Sequence, residues 1–130
     1  MLTDDTPILI VDDDNLVRLG IRMTLEDAGF RNLQVAKTGP AAIKMALRYR
    51  PAVVLMDVRL GAGMDGIEAA QKIRQTHPCK VIFLTGSNET ATRLRINATD
   101  PADVLVKPIL PHHLIEALQA LADSLPLPST

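Results

Sequence analysis

Aromatic side chains are nearly missing from this sequence: there is no tryptophan, and Phe30, Tyr49 and Phe83 are the whole aromatic complement. Aliphatic side chains and methionine must therefore fill any core. Cysteine is as scarce. Cys79 stands alone, which excludes an internal disulfide and fits a reducing cytosol. Neither sign of charge dominates: the net charge is −1, so nothing electrostatic points to nucleic acid or an anionic membrane as partner. No apolar run approaches the length needed to cross a membrane, and Met1-Leu2-Thr3-Asp4-Asp5 lacks a basic leader region. Internal repeats, low-complexity blocks and a linker to a second domain are also missing. We expect a single cytoplasmic domain over residues 1–130, with its core in 7–123 and a flexible tail over 124–130. A chain of this length buries roughly two-thirds of its unfolded surface.

What is present is organised around Pro51 to Gly66. Ala52 to Met56 is a continuous apolar run bounded by Pro51 and a glycine-rich stretch, the pattern of a strand buried on both faces. It ends on Asp57, after which Gly61, Gly63 and Gly66 allow a sharp turn. A second such run, Ile8 to Val11, ends in Asp12, Asp13 and Asp14. Asp14 or Asn15 can cap the helix that follows, in which Val17, Ile21, Leu25 and Ala28 recur at helical spacing before Gly29.

Leu33 to Lys37 reads as a short strand, and Gly39-Pro40 opens a helix with Ile43, Ala46 and Leu47 on its inner face. Asp65-Gly66 opens a third helix carrying Ile67, Ala70 and Ile73, and His77-Pro78 ends it. Val81 to Leu84 is a further strand that delivers Thr85-Gly86-Ser87. Asn88 to Ala98 reads as a weakly apolar helix, Val104 to Val106 as a fifth strand ending in Lys107-Pro108, and Pro111 starts a last helix with Leu114, Ile115, Leu118 and Leu121. Strands alternating with helices predict a parallel sheet covered on both faces. The expected class is α/β: a flavodoxin-like, doubly wound three-layer (βα)5 sandwich with strand order 2-1-3-4-5.

That order sets the first and third strands side by side, so the acids ending them meet in one crevice. By itself Asp57 could simply terminate its strand. Converging carboxylates, however, repel by about a few kcal/mol per close pair at an effective dielectric near 20, and the fold must relieve this by protonation or a cation. Few oxygen ligands in a half-open site suit Mg²⁺ with retained waters better than a full Ca²⁺ cage. A lysine and a threonine hydroxyl on the same rim suit an anion bearing several oxygens.

At these residues the chain resembles the receiver domain of two-component response regulators over residues 7–123. The resemblance is carried by Asp12-Asp13 after the first strand, Asp57 after the third, Thr85 after the fourth and Lys107-Pro108 after the fifth, with Asp65-Gly66 heading the third helix. It implies a bacterial, chemotaxis-regulator-like switch in which Asp57 accepts a phosphoryl group from a histidine kinase or phosphotransfer protein. Asp13, Asp57 and the backbone carbonyl of Arg59 would hold Mg²⁺ (Mn²⁺ being the alternative), with Asp12 acting mainly through water. Lys107 and Thr85 would meet phosphoryl oxygens, the Gly86 amide would add a donor, and the Lys107-Pro108 peptide would be cis. The molecule would be a monomer or weak dimer that passes its signal to a downstream protein. It would do so through the fourth helix, fifth strand and fifth helix, at Arg93, Arg95, Ile96, Val104, His113 and Glu116; the plain alternative for each residue is a solvated face.

Several positions depart from the family pattern. Val104 stands where an aromatic residue is usual, Gly61-Ala62-Gly63 replaces a shorter proline-containing loop, and Asn97 to Asp103 lacks the usual glycines, which predicts a stiffer loop. Arg59 and Ser87 occupy positions that, by the resemblance, would tune dephosphorylation; Arg59 either pairs with acid or phosphate or faces solvent. His77, His112 and His113 read as surface residues rather than metal ligands, and Cys79 as a half-buried filler. Two other functions are open. An aspartyl-nucleophile phosphohydrolase would need a second acid two residues after Asp57, where Arg59 stands. A receiver-like module that is never phosphorylated would have no use for the intact acids, threonine and lysine. A P-loop nucleotide binder is excluded by the absence of a Gly-rich Lys-Ser/Thr sequence after the first strand.

Overall fold

A computed structural model describes residues 2–61, 63–86 and 90–122. The elements alternate: β1 (Ile8–Val11), α1 (Asn15–Asp27), β2 (Leu33–Ala36), α2 (Gly39–Tyr49), β3 (Val53–Asp57), α3 (Gly66–Thr76), β4 (Lys80–Thr85), α4 (Thr90–Asn97), β5 (Asp103–Val106) and α5 (Pro111–Leu121). The sheet is parallel throughout, in the order β2-β1-β3-β4-β5. The doubly wound α/β expectation therefore holds, with strand ends moved by one residue or so. Ser87, Asn88 at the expected start of the fourth helix, and the 124–130 tail lie outside the described residues.

Side chains alternate across the pleat, so each strand feeds two cores. Leu9, Val11, Val54, Met56, Val81 and Phe83 face α2 and α3, with Ile96 of α4 on the same side. Ile8, Ile10, Leu33, Val53, Leu55, Ile82 and Leu84 face α1 and α5. Phe83 is the one aromatic residue at the centre, fully buried. Among the described residues no helix is long and apolar enough to cross a membrane.

Local chemistry accounts for the helix ends. Asp14, not Asn15, is the cap of α1: its carboxylate accepts the amides of Leu16 at 2.8 Å and Val17 at 3.2 Å. Asp65 caps α3 through the Glu68 amide at 2.9 Å. Arg50 closes α2 in the left-handed region (φ 48°), its amide reaching the Ala46 carbonyl at 2.9 Å.

Four expectations need correction. Leu47 is 53% exposed, because α2 turns Gly39, Ala42 and Ala46 inward and leaves Ile43 and Leu47 at the border of that stripe. Ala28 is exposed because α1 stops at Asp27. Ile96 is fully buried; it is the residue by which α4 attaches to the core and is not part of an outward surface. His77 is buried as well: its Nε2 lies 2.6 Å from the Pro51 carbonyl, tying the end of α3 to the entrance of β3. His112 and His113 are exposed and Cys79 is half-buried, as expected. The glycine-free turn before β5 is made with Asp100 at φ 54°, and Arg74 donates to the carbonyls of Thr99 and Asp100.

Candidate functional site

β1 and β3 are neighbours in register, Val11 opposite Met56, so the residues that follow them emerge together. Carboxylate oxygens of Asp12, Asp13 and Asp57 all lie within 4.8 Å of one another. Asp12 and Asp57 are buried and Asp13 is exposed, which makes the cluster a pocket open on one side. The Lys107 amide donates to the Thr85 carbonyl at 2.8 Å, setting the end of β5 level with the end of β4. From there the ammonium reaches Asp12 Oδ2 at 3.0 Å and Asp57 Oδ1 at 3.3 Å. The Lys107-Pro108 peptide is cis.

Asp12 is engaged at every polar atom. Its amide donates to Ala36 at 3.2 Å, and its carbonyl accepts from Arg18 Nη1 at 2.7 Å. Its Oδ1 accepts the Asp14 amide at 2.9 Å, and its Oδ2 takes Lys107. Asp57 is held less completely, Oδ1 accepting the Arg59 amide at 3.3 Å. Burial, and then the charge of Asp12, push the Asp57 carboxyl from its ordinary 3.8 up to about 6, against the opposing pull of Lys107. Burial pulls the Lys107 ammonium down, but its bonds to Asp12 and Asp57 outweigh this and raise it above its ordinary value.

The loop after Asp57 passes close to the acids. A Cβ on Gly61 (φ 80°) would stand 3.7 Å from Asp13 Oδ2. Gly66 then brings α3 back against the strand: its amide donates to the Val58 carbonyl at 2.8 Å, and a Cβ there would lie 1.9 Å from the Asp57 carbonyl oxygen. Only glycine fits that approach.

The structure thus brings Asp12, Asp13, Asp57 and Lys107 together, and puts Thr85, buried, at the adjoining strand end. Arg59 and Gly86 sit on the exposed rim. Sequence reasoning missed Arg18, whose guanidinium reaches back to the Asp12 carbonyl. The available signal was a charge on the stripe it shares with Ile21 and Leu25.

Three carboxylates converge here beside the ammonium of the residue that follows β5, and hard oxygen donors of this kind are the type that divalent cations such as Mg²⁺ take. A family model described as the response regulator receiver domain matches residues 8–119. The chain belongs to that family.

Curated proteins and solved structures show the same likeness. ResD, a transcriptional regulatory protein of Bacillus subtilis (strain 168), is 33% identical over 119 residues, covering 92% of this chain and 49% of ResD. Protein-glutamate methylesterase/protein-glutamine glutaminase 3 of Hahella chejuensis is 31% identical over 109 residues, covering 82% of this chain and 31% of that protein. The chain therefore spans half or less of the length of these curated relatives. Among solved structures, the chemotaxis protein CheY4 of Vibrio cholerae aligns with TM-score 0.81 at 29% identity, covering 88% of this chain and 97% of that one. A CheY-like receiver from Methanospirillum hungatei JF-1 aligns with TM-score 0.86 at 25% identity, covering 92% and 95%. A receiver domain serves phosphorylation-dependent two-component signalling, with a histidine kinase or phosphotransfer protein as donor.

Proposed function

We propose that this receiver takes a phosphoryl group onto the Asp57 carboxylate and uses it to change the surface formed by α4, β5 and α5. The single observation that carries the reading is Lys107 bridging Asp12 and Asp57 at 3.0 and 3.3 Å. A cation is thereby held beside the one carboxylate that ends the central strand.

The residues present fit Mg²⁺. Asp13 and Asp57 would hold it, with the carbonyl of Arg59, while Asp12 has its carboxylate oxygens engaged by Asp14 and Lys107 and would reach it through water. When bound, the ion supplies neutralisation of oxygen charge during phosphoryl transfer. The chain supplies the rest. Asp57 attacks as the ionised carboxylate, the P–N bond of the donor histidine breaks, and a P–O bond to Asp57 forms. Lys107 leaves its carboxylate partner for a phosphoryl oxygen. The Thr85 hydroxyl and Gly86 amide donate to the others.

Drawing the end of β4 toward the anion shifts the equilibrium of α4, whose one buried residue is Ile96. Arg93, Arg95, Val104, His113 and Glu116 are the residues we assign to the readout by a downstream protein. Val104, half-buried on β5, stands where an aromatic rotamer would otherwise report the state; we assign the movement to α4 and the backbone instead. The donor is assigned to a groove of about 600 Å³ that reaches Lys107 between α1 and α5, with Leu16, Gly20, Pro108, Ile109 and Pro111 in its walls.

Incubation with acetyl phosphate and Mg²⁺, followed by intact mass, tests the reading. One phosphoryl group is expected on the wild type and none on Asp57→Asn. Release of phosphate from many phosphomonoesters would instead support a hydrolase, and no adduct with no Mg²⁺ affinity an unphosphorylated module.

A further inference from the structure

Arg18 is the one buried arginine or lysine among the described residues, 8% exposed, and nothing in the phosphoryl chemistry above uses it. Burying a guanidinium is costly unless its donors are satisfied. Here they are spent on two acceptors of the β1–α1 connection: Nη1 donates to the Asp12 carbonyl at 2.7 Å, and Nη2 to Asn15 Oδ1. The first of these decides a direction. The Asp12 carbonyl and the Asp13 amide belong to one rigid peptide plane, and Asp12 is already anchored on the other side by its own amide at 3.2 Å from the Ala36 carbonyl. Fixing the carbonyl therefore fixes how the backbone turns into Asp13, the exposed member of the acid cluster.

We propose that Arg18 is a positioning residue for the cation pocket, setting the Asp12–Asp13 peptide so that the Asp13 carboxylate converges on Asp57, an assignment that rests on the cation role proposed for Asp13. Its charge and its geometry pull in opposite directions. A guanidinium near a cation site repels the cation, so a purely electrostatic role would make its removal tighten Mg²⁺ binding. A positioning role makes its removal weaken binding, as loss of an outer-shell partner does. Arginine is suited to this because its planar fork spans two acceptors, whereas a lysine of equal charge satisfies them as a point.

The test is Mg²⁺ affinity by calorimetry on the wild type, Arg18→Lys, Arg18→Met and Asn15→Ala, each checked for fold by circular dichroism. Both Arg18 variants are expected to bind Mg²⁺ about tenfold more weakly, and Asn15→Ala less weakened but in the same direction. In acetyl phosphate assays the half-saturating Mg²⁺ concentration of Arg18→Lys should rise while the rate at saturating Mg²⁺ returns to that of the wild type. A positional effect moves the first quantity and leaves the second. Unchanged or tighter binding in Arg18→Met or Arg18→Lys overturns the inference; should neither fold, unchanged binding in Asn15→Ala does so. A wild type that binds Mg²⁺ and loses it in Asp13→Asn confirms the pocket independently of Arg18. A wild type without Mg²⁺ affinity overturns the reading of the pocket and the role of Arg18 with it.

Discussion

The ammonium of Lys107 lies 3.0 Å from Oδ2 of Asp12, a residue ninety-five positions earlier in the chain. Asp12 is fully buried, and Lys107 is partly exposed. A buried carboxylate next to a second one, Asp57, is costly without such a partner. The contact is therefore both a brace across the sheet and a cation stored where a phosphoryl group is proposed to arrive.

Lys107→Met should remove that brace. We expect a loss of about 3 kcal/mol in urea unfolding at neutral pH, shrinking as acid protonates the carboxylates. The Asp57 carboxyl, followed by NMR titration, should move further up once its opposing cation is gone. An unchanged titration would mean that the lysine does not act on Asp57.

Asp57 makes the protein's stability depend on pH in a definite sense. Its carboxyl titrates at about 6 when folded against an ordinary 3.8, so between these values the native state holds more protons than the unfolded chain. Its contribution to stability is then greatest below about pH 4 and is lost as pH rises through 6. In metal-free buffer Asp57→Asn should be more stable than the wild type by about 1–2 kcal/mol at pH 7. That advantage should vanish near pH 4. Urea titrations with a chelator at the two pH values measure it.

Asp65 runs the other way. Burial alone would raise its carboxyl, but the Glu68 amide and Arg95, at 2.8 Å, outweigh burial and lower it. Its stabilisation is present above the ordinary 3.8 and is lost as pH falls through the lower folded value. Asp65→Ala should cost about 1 kcal/mol at pH 7, the usual loss of a helix cap, with the gap to wild type narrowing at pH 3.

Gly66→Ala should destabilise by about 2–4 kcal/mol. The new methyl would sit 1.9 Å from the Asp57 carbonyl oxygen, and the helix propensity gained at the first turn of α3 is worth at most about 1 kcal/mol. Thermal melts report the loss. A variant as stable as the wild type would show that α3 can retreat from β3 without penalty.

Leu16→Ser should separate donor docking from chemistry. Leu16 is 79% exposed at the mouth of the groove, so its loss should leave stability and acetyl phosphate reactivity unchanged. Transfer from a phosphorylated donor protein should fall by about tenfold, the equivalent of one buried leucine side chain. Equal transfer by both proteins would place the donor elsewhere.

Much of this molecule was determined by the sequence alone, where the physics is local. Apolar runs such as Ile8–Val11 and Val53–Met56 have no polar face to expose, so they must lie inside a covered parallel sheet. Their order with the helices leaves few topologies, and the acids that end two of them are carried to one edge by connectivity. Asp12, Asp13, Asp57 and Lys107 were legible for that reason. The helix faces were less so. Whether Ala46 or Leu47 turns inward depends on a rotation that only the approach of α3 sets, and Ile96 is buried because α4 has no other anchor in the core.

Tertiary structure alone decided the contacts between a side chain and a distant backbone group. Any residue's carbonyl can accept a hydrogen bond, so no pattern marks which one will: Arg18 takes that of Asp12 and His77 that of Pro51. Gly66 is the same case seen from the backbone, a turn residue in the sequence that only the folded chain presses against Asp57. Hydrophobic periodicity is repeated along the chain and survives small errors in any one position. A single hydrogen bond or a single missing methyl exists only once the partners have been brought within ångströms of each other.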